Sequence, residues 1–495
     1  MVKLSYIAAA VGLAAHVVDA FVAPGASLSS LPTTRSSINT AATPRARTGR
    51  TTPVMAHKFE ADRKMRVAVI GGGPSGSCAA EIFAQEPNMD TYLFERKLDN
   101  IKPCGGAIPL CMIDEFQIPS EKIDRKVRKM LMISPTGKEV PIGQTLKADE
   151  YIGMTRREVI DGFLRERAEK FGANVVNGLV TKIDLPADGS ATAPYTLHYS
   201  NYNGKKTGTA ETLECDILIG GDGANSRVAK AIDAGEYNYA IAFQERIRIT
   251  DEQMSFYNEL AEMYVGHDVS PDFYGWVFPK YDHVGVGTGT VIDRPAIKQY
   301  QNAIRARCED KIKGGSIIKV EAHPIPEHYR PRRVKNRAIL VGDAAGYVTK
   351  CSGEGIYFAA KSGRMAAEAV VKLCKGGTML PTEREIEDTY LRDYDGKYGP
   401  TYAVLDILQQ VFYRSNPARE AFVEMCESEY VQQVTFDSYL YKKVQGNDPA
   451  SDIKLLFDTV SSLIKNNYIR TDIPKDVPIW NPVESLQRLP ANKGK

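Results

Sequence analysis

Short apolar segments rich in β-branched residues recur along the chain after its first sixty residues. Residues 66–70 read Arg-Val-Ala-Val-Ile, residues 215–219 read Cys-Asp-Ile-Leu-Ile and residues 338–341 read Ala-Ile-Leu-Val. Runs of this length are typical of strands buried on both faces of a parallel sheet. Segments of helical composition follow them, including a long one at residues 357–375. This alternation predicts an α/β fold.

A glycine-rich turn follows the first strand. Gly71, Gly73 and Gly76 have the spacing GxGxxG and lead into helix-compatible residues 77–85. In such a turn the first glycine permits a tight bend, the second lets backbone approach a pyrophosphate, and the third lets the helix pack closely on the strand. The free N–H groups at the start of the helix favour phosphate. The turn therefore predicts a dinucleotide site.

An acidic residue ends the second predicted strand, residues 91–94. Glu95 follows Gly76 by 19 positions, so its carboxylate is placed to accept hydrogen bonds from a ribose diol. Its charge repels a 2′-phosphate, which disfavours NADP as the ligand of this fold, although Arg96 could reverse that preference. Two later segments favour FAD over a nicotinamide nucleotide.

Gly-Asp sequences follow the two remaining strands, with Asp222 inside residues 220–226 and Asp343 inside residues 342–346. Ligands of open α/β sheets bind at these carboxyl ends of strands. The three segments in this order resemble the FAD-binding domain of the p-hydroxybenzoate hydroxylase-like flavoproteins. The resemblance implies that Asp222 lies near the cofactor and that Asp343 binds the ribitol hydroxyls.

The same resemblance assigns further cofactor-binding residues. It places Gly346 near FAD and points the helix that begins at Gly355 and Ile356 at the flavin, where its dipole would stabilise the anionic reduced ring. An arginine that opens another helix lies near the FAD pyrophosphate in that group. Residues 155–158 have the pattern of a capping box before such a helix, residues 159–171. Arg157 fits the spacing better than Arg156, and a surface arginine is the alternative.

The segment 235–335 lacks the strand–helix alternation. Residues 239–249, 273–280 and 284–290 read as strands, which predicts an inserted, mainly antiparallel β domain that carries the substrate. Side chains alternate along a strand, so three aromatic residues share one face. These residues are Tyr274, Trp276 and Phe278. Ordinary core packing is the alternative to a substrate site.

The pattern YxWxFP in this strand resembles the geranylgeranyl reductase family, as does Lys-Pro-Cys-Gly-Gly at residues 102–106. Further segments resemble the same family, and they are residues 348–355, 398–402, 412–422 and 435–441. The resemblance implies that three of the four double bonds of a geranylgeranyl chain are reduced to give phytyl, with FAD as cofactor and NADPH as electron donor. The implied substrate is geranylgeranyl diphosphate or geranylgeranyl-chlorophyll.

The chemistry of that substrate gives the aromatic residues a role. An unconjugated alkene offers a hydride no electrophile, so a proton must accompany the hydride from reduced flavin. Each aromatic face would stabilise the resulting positive charge by about 0.5–2 kcal/mol, and water must be excluded. Cys104 is the candidate proton donor or gatekeeper, and packing beside FAD is the alternative. Several reductions at one site require an elongated tunnel.

Charge and composition indicate which kinds of ligand and cross-link to expect. The chain has 63 basic and 61 acidic residues, a net charge of +2, which is not the charge of a nucleic-acid-binding protein. Eight cysteines without a CxxC pair and seven histidines without ligand spacing predict neither a disulfide framework nor a metal site.

The N-terminus reads as a targeting sequence. Residues 1–20 have a basic residue, a short apolar stretch and small residues at the end, typical of a signal peptide, with a membrane anchor as the alternative. Residues 21–59 contain no acid but several arginines, serines and threonines, typical of a transit peptide. The two together resemble the bipartite presequences of complex plastids, which predicts a plastid stroma or thylakoid-surface protein.

We therefore predict an α/β protein, α+β overall, with a Rossmann-type FAD-binding domain and an inserted β domain. The predicted ranges are 60–234 and 336–380 for the FAD-binding domain, 235–335 for the substrate domain, 381–470 for a helical region and 471–495 for an extended tail. Peripheral membrane association, through a light-harvesting-like anchor protein as in plants, is a further expectation. A flavin monooxygenase and a prenyl-binding escort protein are the competing functions.

Overall fold

The structure is a computed structural model of the chain. It describes residues 56–99, 102–187, 190–442, 458–459, 461–474 and 476. The predicted signal peptide and nearly all of the predicted transit segment and extended tail lie outside the described residues.

The strands alternate with helices in the first part of the described chain and cluster in its middle. In chain order they are β1 His57–Lys58, β2 Met65–Ile70, β3 Met89–Glu95, β4 Ala107–Ile108, β5 Arg125–Val127, β6 Lys129–Ile133, β7 Glu139–Ile142, β8 Ile152–Met154, β9 Asn174–Asp184, β10 Tyr195–Asn201, β11 Thr209–Cys215, β12 Ile217–Gly220, β13 Tyr239–Arg248, β14 Leu260–Gly266, β15 Ser270–Pro279, β16 Val284–Thr290, β17 Ser316–Pro326, β18 Val334–Lys335, β19 Ala338–Leu340 and β20 Met379–Leu380.

The α-helices, in the same order, are α1 Pro74–Ala84, α2 Leu110–Glu115, α3 Arg157–Lys170, α4 Arg227–Ala231, α5 Asp251–Phe256, α6 Ile297–Arg307, α7 Glu309–Ile312, α8 Ile356–Cys374, α9 Glu383–Ile386, α10 Arg392–Phe412, α11 Asn416–Met425 and α12 Glu429–Tyr441. Short 3₁₀ turns span Ser120–Lys122, Arg294–Ala296 and Gly342–Ala344, and π-helical segments span Glu387–Leu391 and Lys465–Ile469.

One sheet has the architecture of a nucleotide-binding fold. Its eight strands run in the order β11-β10-β9-β3-β2-β12-β19-β18, and β9, β3, β2, β12 and β19 are parallel. The central strands β2 and β12 are almost wholly buried, as expected for strands that are covered on both faces of a sheet. The three apolar runs of the sequence form β2, β12 and β19, which confirms the predicted fold class.

Helices α1 and α8 pack closely against each other beside this sheet. Gly363 of α8 makes the approach possible, since a Cβ there would lie 1.9 Å from the carbonyl oxygen of Ser75 in α1. The contact holds the N-terminal ends of both helices at the same edge of the sheet, where the carboxyl ends of β2 and β19 lie.

The second sheet is mainly antiparallel, with seven strands in the order β17-β13-β16-β15-β14-β6-β7. The predicted segment 235–335 supplies five of them. The hairpin β6–β7 comes from residues 129–142, which the sequence analysis assigned to the FAD-binding range 60–234. β6 pairs in parallel with β14, from Lys129 opposite Leu260 to Ile133 opposite Tyr264. A pairing between strands so far apart in the chain leaves no local signal in the sequence.

The capping box predicted at residues 155–158 does not form. Helix α3 begins after Arg156, which makes no side-chain capping hydrogen bond. The Thr155 hydroxyl instead donates to the carbonyl oxygen of Lys122 at 2.8 Å, and Arg156 pairs with Asp124 at 3.0 Å. Tertiary contacts have replaced the local cap.

Helices α10, α11 and α12 form the predicted helical region and pack against the second sheet. The C-terminal end of α10, with Phe412, joins α11, α12 and the aromatic strand β15 in one core cluster, whereas Tyr394 and Tyr398 of α10 belong to the core of the nucleotide-binding sheet. Within the described residues, no helix is both long enough and apolar enough to span a membrane.

Candidate functional site

A cavity of about 920 Å³ lies between the two sheets and the C-terminal helices. Its wall includes the glycine-rich turn, the loop at residues 102–106, the N-terminal end of α8, the aromatic strand β15 and parts of α10 and α12. The cavity therefore touches nearly every motif that the sequence analysis selected.

The glycine-rich turn needs its glycines. Gly71 has φ +102°, and a Cβ there would lie 2.4 Å from the carbonyl oxygen of Gly221. A Cβ on Gly76 would lie 1.9 Å from the carbonyl oxygen of Gly71, so Gly76 allows α1 to pack against the turn. Gly71 and Gly73 line the cavity, while Gly76 lies behind them. The predicted division of roles among the three matches this geometry.

Glu95 and Arg96 lie at one end of the cavity. One Glu95 carboxylate oxygen accepts a hydrogen bond from the Gly72 amide at 2.8 Å, and the other accepts from the Lys97 amide at 3.0 Å. These bonds fix the carboxylate beside the glycine-rich turn. Each oxygen keeps a lone pair that can accept a ribose hydroxyl.

The structure distinguishes Arg157 from Arg156, the two candidates for the arginine near the FAD pyrophosphate. Arg157 lines the cavity 3.7 Å from the position that a Cβ on Gly73 would take, whereas Arg156 points to Asp124 and is not part of the wall. Asp161 holds Arg157 through two hydrogen bonds of 2.7 and 2.9 Å. Burial lowers the pKa of Arg157, but the Asp161 carboxylate more than offsets this, so its pKa is raised. A buried, permanent cation next to the turn suits a phosphate.

Asp343 lines the cavity and pairs with Lys102 at 2.7 Å. Burial raises the pKa of Asp343, but the ammonium of Lys102 reverses that effect and lowers it overall. His323 lies in the same part of the wall, and its buried Nε2 has no hydrogen-bond partner among the described residues. Burial and the Lys102 charge lower the pKa of His323, so its imidazole is neutral. No motif in the sequence selects His323. Its place in the cavity wall becomes visible only in the fold, where it lies on β17.

The structure places Asp222 in the cavity wall and Gly346 outside it. Asp222 lies in the wall, but its carboxylate accepts hydrogen bonds from the Ser226 hydroxyl at 2.5 Å and the Arg227 amide at 2.6 Å. It thus shapes the loop before α4 and leaves the loop backbone to face the cavity. Gly346 does not line the cavity, since it packs on His328, whose carbonyl oxygen lies 2.1 Å from a Cβ placed at Gly346. Gly355 and Ile356 do line it.

Cys104 faces the cavity from the loop at residues 102–106. Its Sγ accepts a hydrogen bond from the Gly106 amide at 3.3 Å. Gly105 lies against Phe278, which would be 3.0 Å from a Cβ at that position. Behind the loop, the ammonium of Lys280 donates to the carbonyl oxygens of Gly105 and Thr155. Burial lowers the pKa of Lys280 to about 8.

Tyr274, Trp276 and Phe278 form a continuous aromatic wall, as the strand alternation predicts. The ring centroids of Tyr274 and Trp276 are 5.9 Å apart, and those of Trp276 and Phe278 are 6.3 Å apart. Trp276 Nε1 donates to Gln244 at 3.1 Å. The indole fits because residue 287 on the neighbouring strand is Gly287, where a Cβ would lie 2.4 Å from the ring. All three rings are buried and line the cavity.

Beyond the aromatic wall the cavity has an apolar arm between the second sheet and the C-terminal helices. The side chains that define this arm are Met130, Met132, Ile142, Met263, Phe412, Phe422, Cys426, Val431 and Phe436. The sequence analysis did not select these residues, since each looks like ordinary core until the helices and the sheet are brought together.

The glycine-rich turn, the charges beside it and the parallel sheet define a dinucleotide-binding flavoprotein. A family model described as FAD binding domain matches residues 139–379. A geranylgeranyl bacteriochlorophyll reductase-like protein of Thermoplasma acidophilum has a similar fold, with a TM-score of 0.59 and 19% identity over 81% of this chain and 98% of the other. The site fits FAD, because the backbone of Gly71 and Gly73 borders the cavity and the absence of a Cβ on Gly73 leaves space beside the Arg157 guanidinium.

Two curated relatives place the chain more narrowly. The chloroplastic geranylgeranyl diphosphate reductase of Arabidopsis thaliana is 61% identical over 92% of this chain and 95% of its own length. The geranylgeranyl diphosphate reductase of Synechocystis is 63% identical over 81% of this chain and 98% of its own length. The chain belongs to the geranylgeranyl diphosphate reductase family. It is an FAD-dependent oxidoreductase that reduces the geranylgeranyl chain, and its location is the plastid.

Proposed function

We propose that the protein uses NADPH to reduce three of the four double bonds of the geranylgeranyl chain in successive turnovers, which gives the phytyl chain. The observation that carries this proposal is a single cavity that joins the glycine-rich turn to the apolar arm through the aromatic wall. Successive reductions at one flavin require the prenyl chain to move past it. An arm lined mainly by apolar side chains permits such movement, because apolar contacts are not directional and do not fix one position of the chain.

The wall residues support a definite orientation of FAD. The N-terminal end of α1 and the Arg157 guanidinium hold the pyrophosphate, since both supply positive charge beside Gly73. The Glu95 carboxylate would accept hydrogen bonds from the adenosine ribose. Asp343 would accept them from the ribitol hydroxyls, and the N-terminal end of α8 at Gly355 would supply positive potential to the flavin. The flavin supplies hydride when bound, and the protein residues orient it and exclude water.

The aromatic wall and Cys104 face the reacting alkene in this arrangement. Three rings stabilise a developing positive charge without offering a lone pair that would trap it. Their burial also keeps water away, which prevents formation of an alcohol. Cys104 acts from the opposite loop, as a proton donor or as a gatekeeper beside the flavin.

The physiological substrate is geranylgeranyl diphosphate or geranylgeranyl-chlorophyll, and the phytyl product serves chlorophyll, tocopherol and phylloquinone synthesis. NADPH docks transiently at the flavin. The protein reaches a complex plastid through a bipartite presequence and works at the thylakoid surface, where a light-harvesting-like protein anchors it. The acid-free composition of residues 21–59 supports the presequence.

An anaerobic assay tests the proposed function. The purified protein should be yellow, should be bleached by NADPH, and should regain its colour when geranylgeranyl diphosphate or geranylgeranyl-chlorophyll is added, with saturated product detected by mass spectrometry. Running both substrates in parallel decides between them. Bleaching by NADPH with no saturated product from either substrate would contradict the proposal.

The same assay separates the competing functions. A flavin monooxygenase would consume oxygen in proportion to NADPH and would leave the prenyl double bonds intact. A prenyl-binding escort would be colourless and would not take up FAD on reconstitution. The cradle formed by Gly71, Gly73 and Arg157 favours the reductase over the escort, because an escort has no use for a dinucleotide site.

A further inference from the structure

A buried ion pair lies in the cavity wall. One partner, Glu354, belongs to residues 348–355, which resemble the family, but the resemblance assigns it no role. The Lys442 ammonium, at the end of α12, is 2.6 Å from Glu354 Oε2, and the two side chains are only 6% and 8% exposed. Both residues line the cavity. Glu354 directly precedes Gly355, where α8 begins.

Glu354 has one oxygen that the protein does not use. Glu354 Oε1 is buried and has no hydrogen-bond partner among the described residues. A buried polar atom without a partner is unfavourable, so a group that enters the cavity and pairs with it can make up this loss. Burial raises the pKa of Glu354, while the Lys442 ammonium limits the rise. Burial thus raises the affinity of this carboxyl for a proton relative to that of an exposed glutamate.

Hydrogen bonds fix the Glu354 loop against the aromatic strand. The Tyr274 hydroxyl donates to the Ser352 carbonyl at 2.7 Å, and the Glu354 amide donates to the Thr349 hydroxyl at 3.0 Å. Gly353, with φ +64°, packs on Phe273, which lies 2.9 Å from a Cβ placed there. The carboxyl of Glu354 and the ring of Tyr274 therefore face the same part of the cavity.

Lys442 is held over aromatic rings. Its ammonium lies 4.4 Å from the ring centroid of Tyr439, 5.6 Å from that of Tyr357 and 5.7 Å from that of Phe358. These contacts stabilise the cation where water is scarce. For Cys104, by contrast, the hydrogen bond to Sγ comes from the backbone amide of Gly106 and not from a charged side chain.

The geometry points to Glu354 as the residue that gives the alkene its proton, with Lys442 as its positioning residue. This inference rests on the proposed function. The alkene gains a hydride from reduced flavin at one carbon and a proton from Glu354 at the other, so two C–H bonds form and one π bond breaks. Glu354 becomes a carboxylate stabilised by Lys442, and the flavin becomes oxidised. Solvent returns the proton and NADPH the electrons. Cys104 then serves as the gatekeeper.

Single-turnover kinetics test this assignment. In Glu354→Gln, reduction of the flavin by NADPH should keep its wild-type rate, whereas reoxidation by the prenyl substrate should slow about 10²–10⁴-fold, the usual effect of losing a general acid. Glu354→Asp should restore part of the rate. Lys442→Met should slow reoxidation alone, and Lys442→Arg, which keeps the positive charge, should restore part of the rate lost in Lys442→Met.

Infrared spectroscopy supplies a readout that does not depend on turnover. The dithionite-reduced wild-type protein should show a carboxylic acid C=O band that shifts in D₂O and is missing from Glu354→Gln. Glu115→Gln is the matched control, because Glu115 accepts hydrogen bonds from Lys361 and Tyr357 of α8 but does not line the cavity. It should keep both the band and the reoxidation rate.

The outcomes are distinguishable. Equal reoxidation rates in wild type and Glu354→Gln, or a carboxylic acid band unchanged by that substitution, would overturn the role of Glu354 and leave the proposed function standing. A wild-type protein that is reduced by dithionite but saturates no prenyl chain would overturn the proposed function, and the role of Glu354 with it.

Discussion

The ammonium of Lys102 lies 2.7 Å from the carboxylate of Asp343, although 241 positions separate the two residues in the chain. The pair joins the loop that carries Cys104 to the end of the strand β19. Both side chains are mostly buried, at 22% and 14% exposure. This contact positions the loop over the cofactor side of the cavity.

Lys102→Met should weaken FAD retention and lower the free energy of unfolding by roughly 1–3 kcal/mol, between the values for exposed and fully buried pairs. Asp343 has a lowered pKa in the folded protein, so its contribution is present above the unfolded-state pKa of about 3.9. The difference between wild type and variant should shrink as the pH falls below about 4. Urea unfolding at several pH values measures it.

Lys64→Met is the matched control, because its pair with Asp90 is 3.9 Å long and exposed. It should change the unfolding free energy by less than about 0.5 kcal/mol and leave FAD bound. An equal loss in both variants would contradict the role of the Lys102–Asp343 pair.

Gly76→Ala should destabilise the protein by roughly 2–4 kcal/mol and abolish FAD binding, because the new methyl group would displace the carbonyl of Gly71. Gly162→Ala tests the same chemical change in helix α3, where nothing lies within 4 Å of the new Cβ. The control should gain about 0.5–1 kcal/mol from helix propensity. Thermal unfolding and flavin content report both effects, and a yellow, stable Gly76→Ala protein would refute the close packing.

The lowered pKa of Lys280 predicts that the unfolding free energy rises in alkaline solution. Its folded-state pKa is about 8 against an ordinary 10.5, so between these values the unfolded chain binds more protons than the folded one. Stability due to this residue should therefore rise from pH 8 to pH 10.5, by up to roughly 3 kcal/mol. The unfolding free energy of wild type minus that of Lys280→Met should rise over this range. A pH-independent difference would show that the ammonium is fully stabilised in the fold.

Trp276→Leu should lower the rate of alkene reduction about 2–30-fold, which corresponds to the loss of one cation–π contact of 0.5–2 kcal/mol. Trp276→Phe keeps a π face and should retain most of the rate, although it loses the hydrogen bond to Gln244. Reduction of the flavin by NADPH should be unaffected in both. If leucine and phenylalanine behave alike, the ring acts through shape alone.

Sequence patterns predicted those parts of the fold whose signals are local. The buried strands, the glycine-rich turn and the alternating aromatic residues of β15 were found because spacing within a few residues determines each of them. The hairpin β6–β7 lies within the range 60–234 but pairs in the second sheet, and no local pattern predicts this, because its parallel partner β14 lies more than a hundred residues further along the chain. Thr155 was expected to cap a helix, and a distant carbonyl took its hydroxyl instead.

The residues of the candidate site were likewise predictable only where they belong to a local motif. Cys104, Arg157 and the aromatic residues were selected from motifs, and the structure brings them to one cavity. The pairs Lys102–Asp343 and Glu354–Lys442 were not predicted, since their partners are 241 and 88 positions apart and the motifs that contain Lys102, Asp343 and Glu354 do not indicate which residue each one pairs with. Gly346 was selected by motif, yet its backbone serves a local turn away from the cavity.

The interleaving of the two sheets constrains synthesis on the ribosome. The hairpin β6–β7 emerges early, but its neighbour β14 ends at Gly266 and is translated much later. Until then the nascent hairpin carries an open strand edge, which exposes it to aggregation and to chaperones. Neither sheet can be completed from one continuous piece of chain, so limited proteolysis between them should not release an autonomous fragment.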